Sequence, residues 1–162
     1  MADRFVVCCY GLVFSDGKIL IVRHKRPQRG NRWALPGGRL KAGEGFQRCI
    51  ERMVEEQTSC TVKAARQITA AVSFSDGMSR DGQTILVFYL CKYQYGGPDA
   101  GEGVEAVLWA DEELFTNMAE DMDFPYQFID AVSALCIRGN MLPGLSFDFS
   151  KPESILRSMI ID

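Results

Sequence analysis

Phe5 to Phe14 is an almost unbroken apolar run rich in β-branched and aromatic side chains, which predicts a strand. Ser15-Asp16-Gly17-Lys18 reads as a turn, and Ile19 to Val22 resumes the apolar pattern, so the two runs form a hairpin. A polar stretch from His24 to Arg32 follows, and then the short apolar piece Trp33-Ala34-Leu35, closed by Pro36-Gly37-Gly38. From Glu44 to Thr58 the period changes. Phe46, Cys49, Ile50, Met53 and Val54 recur at helical spacing, with Glu51, Arg52, Glu55 and Glu56 between them, and this predicts an amphipathic helix of about four turns.

Thr61 to Phe74 and Thr84 to Tyr95 return to strand character, separated by a Gly/Ser/Asp-rich loop. After the breaker Gly96-Gly97-Pro98, Val104 to Trp109 reads as another short strand. Asp111 is placed to cap a short helix, and Phe128, Ile129, Val132 and Leu135 mark a further one over Phe124 to Ile137. There is no internal repeat, low-complexity tract or linker. The expectation is an α/β domain, a mixed β-sheet packed between helices, over residues 1–140. Residues 141–162 form an irregular extension whose Phe147, Phe149, Ile155, Leu156 and Ile160 predict docking on the domain or on a partner subunit.

Composition narrows the classes. The chain has 162 residues, enough for one domain with a sizeable core, and a formal net charge of -3 that excludes a globally basic nucleic-acid binder. Six cysteines (8, 9, 49, 60, 91 and 136) include no C-x-x-C pair, and several sit in apolar runs. Reduced, buried thiols are expected. No apolar run approaches the roughly 20 residues of a membrane helix, and the N-terminus opens directly into a strand pattern, so a cytoplasmic protein is expected.

The candidate chemistry lies between Gly37 and Cys60. A Gly-rich turn delivers the chain into a helix carrying acids about one turn apart, which share a face and can hold a hard divalent cation. The preceding loop brings Arg23, Lys25, Arg26, Arg29 and Arg32, suited to phosphate oxygens. Together these features point to diphosphate chemistry.

In its spacing this segment resembles the box of the Nudix hydrolases, G-x5-E-x7-R-E-U-x-E-E-x-G-U, where U is a bulky aliphatic. Gly38, Glu44, Arg52, Val54, Glu56 and Cys60 fall on box positions, and the lead Trp33-Ala-Leu-Pro-Gly-Gly is similar to the family's as well. Met53 and Gln57 stand where the box has acids, and Ser59 where it has glycine. The resemblance implies the Nudix α/β/α sandwich and a divalent-cation-dependent hydrolase, using Mg²⁺ or Mn²⁺, of a nucleoside diphosphate linked to another moiety, a nucleotide sugar foremost. It implies catalytic roles for Glu56, Arg52 and Glu44, and metal ligation by Gly37, Glu56, Gln57 and an acid from outside the box, Glu105 (or Glu102). Arg26, Arg32, Arg39 and Trp33 would hold the substrate.

Bland readings stand beside these roles. Loop arginines are usually solvated, Trp33 suits a core, and Glu44 suits a helix N-terminus. Met53 would extend the apolar stripe, and Gln57 is a weakened ligand or a surface residue. Asp121 and Asp123 are candidates for a general base or a solvated loop. Glu51-Arg52-Met53 and Lys25-Arg26-Pro27 also resemble the branch of GDP-mannose mannosyl hydrolases, which attack the sugar carbon. The rival reading is a Nudix fold that binds a nucleotide without turning it over. Dimers are common in the family, so a homodimer is left open.

Overall fold

The computed structural model describes residues 5–25, 33–73 and 83–118. The expected helix at 124–137, the extension at 141–162, and Arg26, Arg32, Asp121, Asp123 and Cys136 all lie outside those stretches.

Among the described residues seven strands form one sheet: β1 (Phe5–Ser15), β2 (Lys18–His24), β3 (Trp33–Ala34), β4 (Gly37–Arg39), β5 (Cys60–Ser73), β6 (Gln83–Gly96) and β7 (Val104–Ala110). Two helices are described, α1 (Phe46–Thr58) and α2 (Glu112–Met118). The main path runs β3-β2-β1-β6-β5, with β4 paired to β1 and β7 paired to β2. β1 and β6 are parallel in continuous register from Phe5↔Gln83 to Phe14↔Lys92, and the remaining pairs are antiparallel, so the sheet is mixed as expected. The β1–β2 hairpin closes through Asp16 (φ 50°) and Gly17 (φ 72°), the left-handed pair that a two-residue turn needs.

β1 alternates between two cores. Cys8, Leu12 and Phe14 join Ile19, Ile21, Leu86, Phe88 and Phe115 on one face, while Cys9 and Val13 join Cys49, Ile50, Val54, Cys60, Val62 and Val87 on the other. α1 supplies the second face through Cys49, Ile50 and Val54, all fully buried. This explains why β1 reads as a continuous apolar run: a strand covered on both faces has no polar side.

The outer edge of β1 is shared. β2 holds its C-terminal end at Phe14 and Ser15, and β4 holds Cys8 to Tyr10. Between them Gly11 donates its N–H to the Pro36 carbonyl at 3.0 Å, so the Pro36–Gly38 turn is fastened to the middle of the central strand. A Cβ on Gly37 would collide with the Cys9 carbonyl, so glycine is required at this approach.

α1 begins two residues later than Glu44. Gly45 is its N-cap, extended at φ -83° and ψ 165°, and no acid occupies the first turn. Glu44 stands one residue before that N-cap, near the helix N-terminus, and its carboxylate is taken by the Lys41 N–H and by Arg52. At the other end Ser59 takes the left-handed conformation (φ 60°) and donates its N–H to the Glu55 carbonyl. The loop after β6 completes this cap, with the Asp99 and Gly101 N–H groups donating to the Thr58 and Gln57 carbonyls. Asp111 caps α2 as expected, its carboxylate accepting from the Leu114 N–H at 2.8 Å.

The candidate active site on helix α1

Among the described residues Glu44 and Arg52 form the shortest charge pair of the site. Arg52 Nε donates to Glu44 Oε2 at 2.7 Å and Nη2 to Oε1 at 3.0 Å, a two-pronged contact, and the Glu44 side chain is only 9% exposed. The Arg52 guanidinium, helped by the Lys41 N–H and opposed by desolvation, holds the Glu44 carboxyl down to about 2. Glu44 is thus ionised throughout the neutral range, as an anchor of the turn before α1. Arg52 also reaches the Arg39 carbonyl at 3.4 Å, Glu56 Oε2 at 3.4 Å and the Met53 sulfur at 3.1 Å.

One turn further along, Glu56 faces solvent with 56% of its side chain exposed. Arg48, Glu51, Arg52, Glu55 and Glu56 line an open cleft of about 520 Å³ along α1. Arg48, Glu51 and Glu55 carry no expected site role; only their helical spacing from Arg52 and Glu56 could have placed them.

Gln57 is neither at the surface nor turned to that cleft. It is 7% exposed, its Oε1 accepts from the Gly37 N–H at 3.0 Å, and its Nε2 donates to the Gly37 carbonyl at 2.9 Å. The surface alternative for Gln57 is therefore set aside. Met53 packs toward the second core and over Gly38, where a Cβ would lie 2.7 Å from the Met53 methyl. Its side chain closes the space in which a box acid would sit.

Arg39, exposed at the end of β4, lends its backbone carbonyl to Arg52. Trp33 packs against the first core and has the Arg23 guanidinium 5.6 Å from its ring centroid. Arg23 Nε also pairs with Glu105 at 3.0 Å, so Glu105 meets a cation of the neighbouring strand β2. Glu102 is exposed in the loop before β7.

Five cysteines are free and buried, and burial raises their thiols, Cys9 and Cys91 to about 12. These five are protonated at neutral pH and unsuited to act as nucleophiles.

A divalent cation was expected here, and the donor set is selective about how it would bind. Among the described residues no group of three or more His, Cys, Asp or Glu side chains is assembled to hold a metal. The Gly37 carbonyl already accepts from the Gln57 amide. Among the described residues, then, no resident multi-carboxylate cluster is built. A cation shared between Glu56 and phosphate oxygens asks for one carboxylate only, which this helix face has.

A mixed sheet whose Gly-rich turn feeds an acid- and arginine-bearing helix defines the class of α/β domain to which the chain belongs. The chain belongs to the NUDIX domain family, which matches residues 3–132. It is 30% identical over 109 residues to the NAD-capped RNA hydrolase NudC of Photobacterium profundum, covering 66% of this chain and 38% of that protein. It is 25% identical over 111 residues to an ADP-ribose pyrophosphatase of Methanocaldococcus jannaschii, covering 68% of this chain and 64% of that one. The chain thus spans less than two thirds of either relative. In fold it is similar to a NUDIX hydrolase from Nitrosomonas europaea, with a TM-score of 0.68 at 17% identity over 81% of this chain and 90% of that one. No helix among the described residues is long and apolar enough to cross a membrane.

Proposed function

We propose that the chain hydrolyses a nucleotide in which a diphosphate joins the nucleoside to a second moiety, with a nucleotide sugar as the leading substrate. The observation that carries this reading is the cleft along α1. It is lined by Glu51, Glu55 and Glu56 together with Arg48 and Arg52, beside a turn fastened to the central strand. Arginines alone would suit a diphosphate, but three carboxylates would repel one. A nucleotide bringing Mg²⁺ or Mn²⁺ reconciles the two, because the cation sits between acid and phosphate. Glu56, the exposed acid in contact with Arg52, is the residue that would hold it. When bound, such a cation neutralises phosphate charge and lowers the pKa of a water.

The protein's own residues do the rest. Arg52 is fixed by Glu44 with one Nη1 edge turned toward Glu56. It orients Glu56 and adds positive charge where a diphosphate would lie. Arg48 flanks the same cleft. The relatives' diphosphate substrates, NAD-capped RNA and ADP-ribose, belong to the same chemical class.

The second reading, a domain that binds the nucleotide without cleaving it, is favoured by Met53 and by the engagement of Gln57 with Gly37. One experiment separates the two. The protein is incubated with Mg²⁺ or Mn²⁺ and a panel of nucleoside diphosphate sugars, dinucleotides and nucleoside triphosphates, with Glu56→Gln as control and products resolved by chromatography. Metal-dependent turnover that falls by about 10²-fold or more in Glu56→Gln establishes the hydrolase. A nucleoside diphosphate plus free sugar means attack at carbon; a nucleoside monophosphate plus sugar phosphate means attack at phosphorus. No turnover on the whole panel, with a raised melting temperature for one nucleotide, gives the binding domain instead.

A further inference from the structure

At the heart of the box the chain has an amide where an acid is expected, and the geometry around it is reciprocal. Gln57 accepts from Gly37 N–H and donates to Gly37 C=O, at 3.0 and 2.9 Å, from a nearly buried position twenty residues along the chain. A peptide unit offers one donor and one acceptor, and a carboxamide is the side chain that complements both. A carboxylate of the same shape could accept from the N–H, but its second oxygen would then face the Gly37 carbonyl, acceptor against acceptor. Relief would require a proton or a cation between the two oxygens.

We infer that Gln57 is a metal-independent clip: its amide holds the Gly37 turn in place without any cation, doing the bridging that an acid at this position could do only with one. The inference rests on reading residues 38–60 as the degenerate Nudix box, but not on turnover. Three surroundings support it. Gly37 is fastened from the other side as well, since β4 pairs with β1 at Tyr10 and the preceding Pro36 carbonyl accepts from Gly11. The Gln57 backbone carbonyl is capped by the Gly101 N–H, which fixes the last turn of α1 beneath the side chain. Met53 covers Gly38, leaving an apolar wall beside the clip where charge would be poorly solvated. The turn is therefore organised before any ligand arrives, and a cation that comes with the nucleotide has no role at Gly37.

The test is thermal and needs no substrate. Wild-type protein and Gln57→Glu are melted in EDTA and in excess Mn²⁺, at neutral and at mildly acidic pH. The wild type is expected to hold its melting temperature in EDTA and to gain far less from Mn²⁺ than Gln57→Glu does. Gln57→Glu is expected to melt roughly 5 °C or more lower in EDTA, and to recover with Mn²⁺ or on acidification, when the new carboxyl regains a proton. A Gln57→Glu protein as stable in EDTA as the wild type, or one that Mn²⁺ stabilises no more than it stabilises the wild type, overturns the clip. Should Gln57→Glu fail to fold, Mn²⁺ binding to the wild type and to Gln57→Met is followed by electron paramagnetic resonance. Equal binding by both, whether none or some, supports the clip; a loss of about tenfold or more in Gln57→Met overturns it. An inactive substrate panel would count against the hydrolase and leave these outcomes standing.

Discussion

Glu44 illustrates how much a single residue's role depends on its partner. The Arg52 guanidinium lowers its carboxyl from 4.5 to about 2, and a group whose folded value is depressed stabilises the fold above its unfolded value. That stabilisation is present at neutral pH and is lost as pH falls from about 4.5 through about 2. The melting temperature of the wild type should therefore drop across that window, and Glu44→Gln should show a shallower drop there while melting lower at neutral pH. A parallel acid profile for the two proteins would deny Glu44 this part. The sequence placed Glu44 and Arg52 in one motif. It did not place them in one another's grip, because the pairing depends on the exact point at which α1 begins, with Gly45 as its N-cap. Gln57 was legible as an uncharged substitute and not as a backbone partner, since what it touches lies across a turn.

At the scale of elements, the hydrophobic pattern was a good guide wherever one rule operated alone. β1, β2, α1, β6 and β7 fall where the periodicity put them, and α2 is capped by the aspartate expected to cap it. Register and bulges were not legible. β5 slips against β6 at three places, and at one of them the Ala64 N–H and carbonyl turn instead to Glu51 and Gln47 of α1. The end of α1 yields a prediction of its own. Ser59 takes a left-handed conformation in which a Cβ costs about 1 kcal/mol, while its cap bond to Glu55 is made by the backbone and survives substitution. Ser59→Gly should raise stability by about that amount, some 2–4 °C in melting temperature. An unchanged or lower value would show that the Ser59 hydroxyl contact with the Asp99 carbonyl outweighs the strain.

For the molecule as a whole, the sheet is a partition between two cores, and α1 belongs to one of them. Ile50 is fully buried at the centre of that second core and lies against Gly11 of β1, where a Cβ would be 3.0 Å from its methyl. Ile50→Ala should cost about 2–5 kcal/mol in chemical denaturation, by lost transfer energy and by the cavity left behind. It should also weaken nucleotide-dependent stabilisation, because Arg48, Arg52 and Glu56 ride on the helix that Ile50 seats. A fall in stability with ligand response intact would separate the seating of α1 from the order of its outer face.

The parallel pairing of β1 with β6 has a consequence for how the chain comes into being. The strand that divides the two cores finds its full-length neighbour only after residues 83–92 exist, nearly eighty positions later. The antiparallel hairpin of β1 and β2 has so short a ladder, Phe14↔Ile19 and Ser15↔Lys18, that it offers little to stand on by itself. Nascent chains ending before β6 would therefore carry the most apolar segment of the protein with its main edge unsatisfied, a template for pairing with other chains. Ribosome-bound chains arrested ahead of Gln83 should bind holdase chaperones and be cut readily by protease, and those extending past Gly96 should acquire resistance.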